Sequence, residues 1–220
     1  MLLEEKLLNR SKRFATETPS EIVAAMLRAD VTLIASGQAR HALRAGDLAP
    51  DFSLTGVRSN IVSLSSLRAS GPVVISFYRG DWCPYCWLEL QALTGLHPEM
   101  VRLGASLVAI SPQKLDRMPA RDIPFLLAND PGSKVAQEFG LAFPLPEELH
   151  GIYEQLGHPL SKVNAASDWV LPIPATYVVA QDGRIMLSFV DINYRHRLEP
   201  VEIVKCLSGL RPARKQPWRI

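Results

Sequence analysis

Cysteine is scarce in this chain of 220 residues, which has three. An odd count that low excludes the disulfide framework of a small secreted domain. Long apolar runs are missing too. The most continuous, such as residues 73–78, fall far short of the about 20 residues that a membrane helix needs. The start, Met1-Leu2-Leu3-Glu4-Glu5-Lys6, has no apolar stretch behind its charges, so the expected compartment is the cytoplasm. Charge of one sign is not in excess: 24 Lys and Arg stand against 22 Asp and Glu. The cations Arg211, Arg214, Lys215 and Arg219 crowd into the last ten residues and leave the remainder slightly acidic. Neither nucleic acid nor an acidic membrane surface is therefore expected as a partner. There is no Gly-x-Gly-x-x-Gly loop to cradle a phosphate, so no nucleotide or flavin is expected. What is present is 47% hydrophobic and 21% charged residues, enough for one substantial core.

Residues 1–45 read as a helical extension. Thr18-Pro19-Ser20-Glu21 places a Thr cap, a Pro in the first turn and a Glu three residues after the cap. Ile22, Val23, Met26, Leu27, Val31 and Ile34 then form an apolar stripe, and Gly37 stops the helix. That stripe packs on its own domain or builds a dimer contact. From residue 46 short apolar strands at 73–77, 105–110 and 125–128 alternate with helical lengths at 83–96 and 130–140. Such alternation means right-handed crossovers and a mainly parallel sheet. Residues 175–180 and 184–190, joined through Asp182-Gly183, read as a hairpin, followed by a closing helix at 199–207 and a basic tail at 211–220. The stretch 141–174 is rich in Pro and Gly, and only a short helix at 147–156 stands out there.

The chemistry concentrates in Trp82-Cys83-Pro84-Tyr85-Cys86, between a buried strand and an amphipathic helix. A sulfur at a helix N-terminus faces unpaired N–H groups and the positive end of the dipole, which lowers its pKa from about 8.5 toward neutrality. Cys83 occupies that place, and Cys86 follows one turn later, where it can resolve a bond formed at the first sulfur. This reading requires at least one sulfur to be ionised and open to solvent. Zinc also uses Cys-x-x-Cys, but no second pair of cysteines and no paired histidines complete four ligands, so no metal is expected. The remaining cysteine, Cys206, reads as a core residue.

At this point the chain resembles a known family. Trp82-Cys83-Pro84-Tyr85-Cys86 is similar to the thioredoxin-fold signature. Gly46-Asp47-Leu48-Ala49-Pro50-Asp51-Phe52-Ser53-Leu54, the run Phe77-Tyr78-Arg79-Gly80-Asp81 before the cysteines, and Pro174-Ala175-Thr176-Tyr177-Val178-Val179 resemble the peroxiredoxin branch, the alkyl hydroperoxide reductase and thiol-specific antioxidant (AhpC/TSA) group. The resemblance covers about residues 45 to 210. It implies an α/β, thioredoxin-like fold, a central mixed sheet flanked by helices, over residues 46–210. Against the peroxiredoxin pattern Pro-x-x-x-Thr-x-x-Cys, Cys86 falls at the peroxidatic cysteine, Cys83 at the Thr and Arg79 at the Pro. The family's guanidinium would fall near Pro174, where this chain has Ile-Pro-Ala-Thr. The resemblance also implies a cis bond at Ile173-Pro174, facing the cysteines. If the hairpin starts at the site, its return strand ends beside the sulfurs at residues 191–195, and Arg195 or Arg79 supplies the missing cation.

The function expected is a thiol-based antioxidant oxidoreductase that reduces hydroperoxides. A thiolate becomes a sulfenic acid, condenses with its neighbour to a disulfide, and is regenerated by a thioredoxin-like or glutathione-like donor. The helix terminus favours Cys83 as the attacking thiol and the family alignment favours Cys86. Trp82, Tyr85, Asp81 and Thr176 are expected to meet the substrate. A general thiol-disulfide oxidoreductase, acting on a disulfide substrate, uses the same parts. A non-catalytic interaction protein of this fold is the third reading.

Overall fold

A computed structural model describes residues 2–118 and 123–210. Nine strands are β1 Ser53–Gly56, β2 Ile61–Ser63, β3 Val73–Phe77, β4 Ser106–Ser111, β5 Leu126–Asn129, β6 Ala142–Pro144, β7 Val170–Pro172, β8 Ala175–Val179 and β9 Ile185–Val190. The helices are α1 Leu3–Glu17, α2 Ser20–Ser36, α3 Leu64–Ser70, α4 Pro84–Arg102, α5 Lys134–Glu138, α6 His150–Gln155, α7 Leu160–Val163 and α8 Pro200–Leu210. Seven strands form one mixed sheet in the order β2-β1-β5-β4-β3-β8-β9, with β3, β4 and β5 parallel and β8 antiparallel to β3. The basic tail at 211–220 lies outside the described residues.

Alternation along β3 builds two cores. Val73, Ile75 and Phe77 point to the face covered by α2, α3, α5 and the 141–174 segment. Val74 and Tyr78 point to the face covered by α1, α4 and α8. This is the mixed, helix-flanked sheet expected of a thioredoxin-like fold. The Asp182-Gly183 turn closes the β8–β9 hairpin, with Gly183 at φ 92° and the Ala180 N–H donating to the Arg184 carbonyl at 2.9 Å.

The N-terminal helices depart from the sequence reading in two ways. The first is the helix start: Thr18 ends α1, its N–H donating to the Phe14 carbonyl, and Pro19 sits at the N-cap of α2 with no side-chain cap bond. Gly37 does end α2, at φ 72°. The second is the buried face. Ala25, Met26 and Ala29 meet the domain, whereas Leu27, Val31 and Ile34 are exposed at 52, 65 and 55%. The small side chains let α2 lie close over the turn at 147–149, so the helix rolls onto its alanines and leaves half of the apolar stripe outside. The Pro- and Gly-rich stretch resolves into a two-stranded ribbon, β6 with β7, that frames α6 and α7.

The segment after α2 is fixed to the domain at Gly140, where the Leu43 N–H donates to the Phe139 carbonyl at 3.1 Å. Gly140 has φ 72°, and a Cβ there would lie 2.0 Å from the His41 carbonyl oxygen. Gly140→Ala is expected to destabilise the protein by about 1–3 kcal/mol, read as a lower denaturation midpoint; an unchanged midpoint would show that this contact relaxes freely.

Candidate active site

The site forms where β3 runs into α4. After Phe77 the chain turns through Gly80, at φ 148°, where a Cβ would strike the Trp82 indole at 2.2 Å. The Cys83 N–H donates to the Gly80 carbonyl at 3.2 Å, and the Asp81 N–H to the Gln113 side chain at 2.8 Å. Cys83 is the N-cap of α4 with extended backbone, and Pro84 opens the first turn. Cys86 follows on the buried face of the helix, and all three cysteines are free.

Two buried guanidiniums close on the pair. Arg197 donates from Nη2 to the Cys86 sulfur at 3.3 Å and from Nε to Glu89 at 2.6 Å, and its Nη1 bonds the carbonyls of Tyr194 and His196. Thr176, on β8, donates to the other oxygen of Glu89 at 3.4 Å. Arg79 lies over the Tyr194, Trp82 and Tyr153 rings at 4.2, 5.1 and 5.7 Å and donates to the Tyr153 hydroxyl. Burial pushes the Cys83 thiol up, but it is outweighed by the hydrogen bond from the Cys86 thiol, by Arg79 and Arg197, and by the Cys86 backbone N–H. The net result holds Cys83 down at about 5. Burial and the neighbouring Cys83 sulfur push Cys86 well above its ordinary value. Burial also raises Glu89 to about 7 against the pull of Arg197.

The residues singled out from sequence divide into two groups. Cys83, Cys86, Arg79 and Trp82 meet at the site, and Thr176 reaches it through Glu89. Pro174 lines an adjoining cavity with Arg79 and Tyr194. Tyr85 packs edge-on to Tyr194 at 5.6 Å and takes a hydrogen bond from Ser11 of α1. Asp81 turns toward Gln113, and Arg195 pairs with Asp30 of α2 at 2.6 Å while covering Tyr194. The guanidinium on the sulfurs from this loop is that of Arg197, two residues beyond the stretch indicated by the hairpin. Glu89 carried a signal, a lone carboxylate on the apolar face of α4, three residues after Cys86. Tyr153 and Tyr194 carried none.

Two expectations are corrected. The Ile173-Pro174 peptide is trans, as is every bond of the described residues. Trans is the favoured isomer, and Pro174 fits it while packing against Ile173, Ile192 and Tyr194 around the cavity. Neither sulfur is open to solvent: Cys83 is 1% exposed and Cys86 0%. They lie in a cluster with Tyr78 and Tyr85, against which Trp82 and Tyr194 pack, while α1 packs on α4.

A buried thiol pair at a helix N-terminus, on a mixed sheet flanked by helices, defines a thiol oxidoreductase site of the thioredoxin-like class. Residues 45–188 match the AhpC/TSA family, and the chain belongs to it. It is 28% identical to the chloroplastic peroxiredoxin Q of Sedum lineare over 174 residues, covering 76% of this chain and 78% of that protein. It is 26% identical to the thiol-disulfide oxidoreductase ResA of Geobacillus kaustophilus over 144 residues, 66% of this chain and 68% of the relative. Among solved structures, peroxidoxin BcpB from Mycobacterium tuberculosis superposes with a TM-score of 0.59 at 22% identity, over 77% of this chain and 99% of the other. Helices α1 and α2 precede the matched region.

The charge arrangement makes a direct expectation. Alkylation of Cys83 by iodoacetamide, mapped by mass spectrometry, should rise with pH through a midpoint well below the free-thiol value of about 8.5 and then level off. In Cys86→Ala the midpoint should move upward, because the thiol that hydrogen-bonds Cys83 is gone. A midpoint at the free-thiol value in the parent protein would remove the thiolate from the site.

Proposed function

We propose that the chain is a thiol peroxidase in which Cys83 attacks a hydroperoxide and Cys86 resolves the product. The observation that supports it is the buried Cys83 at the N-cap of α4, one turn before Cys86, with its thiol held below the ordinary value by Cys86 and Arg79. The Cys83 thiolate takes the terminal oxygen of the peroxide and becomes a sulfenic acid; the O–O bond breaks and the remainder leaves as an alcohol or water. The Cys86 thiol then displaces hydroxide as water and forms the Cys83–Cys86 disulfide. A dithiol donor of the thioredoxin type reduces that disulfide. An odd and low count of three cysteines suits a reducing compartment such as the cytoplasm. Arg197 holds Cys86 and Glu89 in place, and Arg79 balances the thiolate.

Similarity to ResA and the Cys-Pro-Tyr-Cys sequence favour a second reading, exchange with a disulfide substrate, which starts from the same Cys83 thiolate. The exposed Leu27, Val31 and Ile34 of α2 belong to the proposal as the contact of a homodimer. Val31→Asp is then expected to shift sedimentation toward the monomer, and a parent that sediments as monomer at all concentrations would end that part of the reading.

One equivalent of hydrogen peroxide should leave a dimedone-reactive sulfenic acid on Cys83 in Cys86→Ser and none in Cys83→Ser. The reverse pattern transfers the attack to Cys86, the position favoured by the family alignment. No sulfenic acid in either variant, together with reduction of insulin by the parent, selects disulfide exchange.

A further inference from the structure

On the far side of Arg79 from the thiol pair lies a cavity lined by Arg79, Tyr153, Tyr194 and Pro174, with apolar residues of α2 and the Asp30 carboxylate, paired with Arg195, above it. Its free space is about 30 Å³, room for a water-sized molecule. Two donors on its wall lack an acceptor among the described residues. Arg79 Nε is buried with no hydrogen-bond partner. The Tyr153 hydroxyl accepts from Arg79 Nη2, its one hydrogen-bond partner, which leaves its own hydrogen free. Tyr153 is 3% exposed, and its ring stands edge-on to that of Trp82, the residue before Cys83, at 5.7 Å. Donors fixed before reaction, in a site without bulk water, stabilise charge where it develops.

We propose that Tyr153 is a catalytic residue of peroxide reduction and gives its hydroxyl proton to the oxygen that leaves when Cys83 attacks. The inference rests on the peroxidase reading above and adds the acid which that reading lacks. The sulfur–oxygen bond forms at the terminal oxygen, and the O–O electron pair goes to the departing oxygen. Tyr153 supplies the proton and becomes a phenolate. Sulfur is oxidised by two electrons and the peroxide is reduced to sulfenic acid and alcohol or water. The negative charge passes from sulfur to the phenol oxygen, both beside Arg79, and a solvent proton restores Tyr153 before the next cycle. Burial pushes the phenol above its ordinary value, with Arg79 opposing, so the proton is present when the peroxide arrives. The short helix that carries Tyr153 was legible in the sequence, but nothing in it pointed to the cysteines.

Tyr153→Phe keeps the ring on Trp82 and removes the proton. Oxidation of Cys83 by hydrogen peroxide is expected to slow on the order of a hundredfold, while alkylation by iodoacetamide stays within about twofold, because it needs the thiolate and no acid. Peracetic acid provides the decisive arm. Acetate leaves without being protonated, so its reaction should be nearly unaffected by the substitution. Equal losses with both oxidants, or no loss with either, overturn the proposal. If the variant fails to fold, a series of hydroperoxides whose leaving alcohols differ in acidity is run on the parent; weak dependence on that acidity supports the tyrosine acid and steep dependence overturns it. A parent that reacts with peroxide no faster than free cysteine overturns the peroxidase reading itself, whereas a fast parent matched by Tyr153→Phe removes Tyr153 alone.

Discussion

A buried cation needs an anion, and that constraint organises the site. Arg79 and Arg197 are both almost fully buried, and among the described residues Glu89 is the carboxylate that pairs with either of them. Asp130, also buried, is satisfied elsewhere by the N–H groups of Val135 and Ala136. Two guanidiniums and one carboxylate leave one positive charge unanswered in a region where hydration is lost. A thiolate shared by Cys83 and Cys86 answers it. Burial alone would make both sulfurs weaker acids; the Cys86 thiol, then the two guanidiniums and the Cys86 backbone N–H, reverse the direction for Cys83.

Topology brings these groups together from distant parts of the chain. The end of β3 delivers Arg79, the antiparallel β8 begins beside it and delivers Thr176, and the loop after β9 returns Arg197 to the same end of the sheet. The helix α4, started by Pro84, carries Cys86 and Glu89 on one face, three residues apart. Helices α1 and α2 then cover the assembly, through Ser11 on Tyr85 and Asp30 on Arg195. Exclusion of water strengthens each charge interaction inside, and it also means that peroxide and donor reach the sulfurs only when part of the cover moves.

Much of this was legible in the sequence, for definite reasons. Continuous apolar runs marked β3, β4 and β5 because strands buried on both faces tolerate little else. Asp182-Gly183 marked the hairpin because its turn uses the glycine at positive φ. Cys83 and Cys86 marked the site because few chemistries place thiols at a helix start. Arg197 escaped because a hairpin fixes where its strands end but not how the following loop folds back. Within residues 141–174 the helix at 147–156 was legible, and the ribbon escaped because its strands span three residues each, too short to show alternation. The covering of the sulfurs escaped for another reason: it depends on how α1 and α2 dock, and an apolar stripe on α2 does not say which half of it faces inward.

The charge balance of the site also depends on its oxidation state. With the thiolate present, Arg79 has a counter-charge, three aromatic rings and the Tyr153 hydroxyl. A disulfide between Cys83 and Cys86 carries no charge, so oxidation leaves Arg79 with the rings and the hydroxyl alone, while Arg197 keeps Glu89. Oxidation thus removes a counter-charge from beside both guanidiniums, of which Arg197 keeps a paired carboxylate and Arg79 does not.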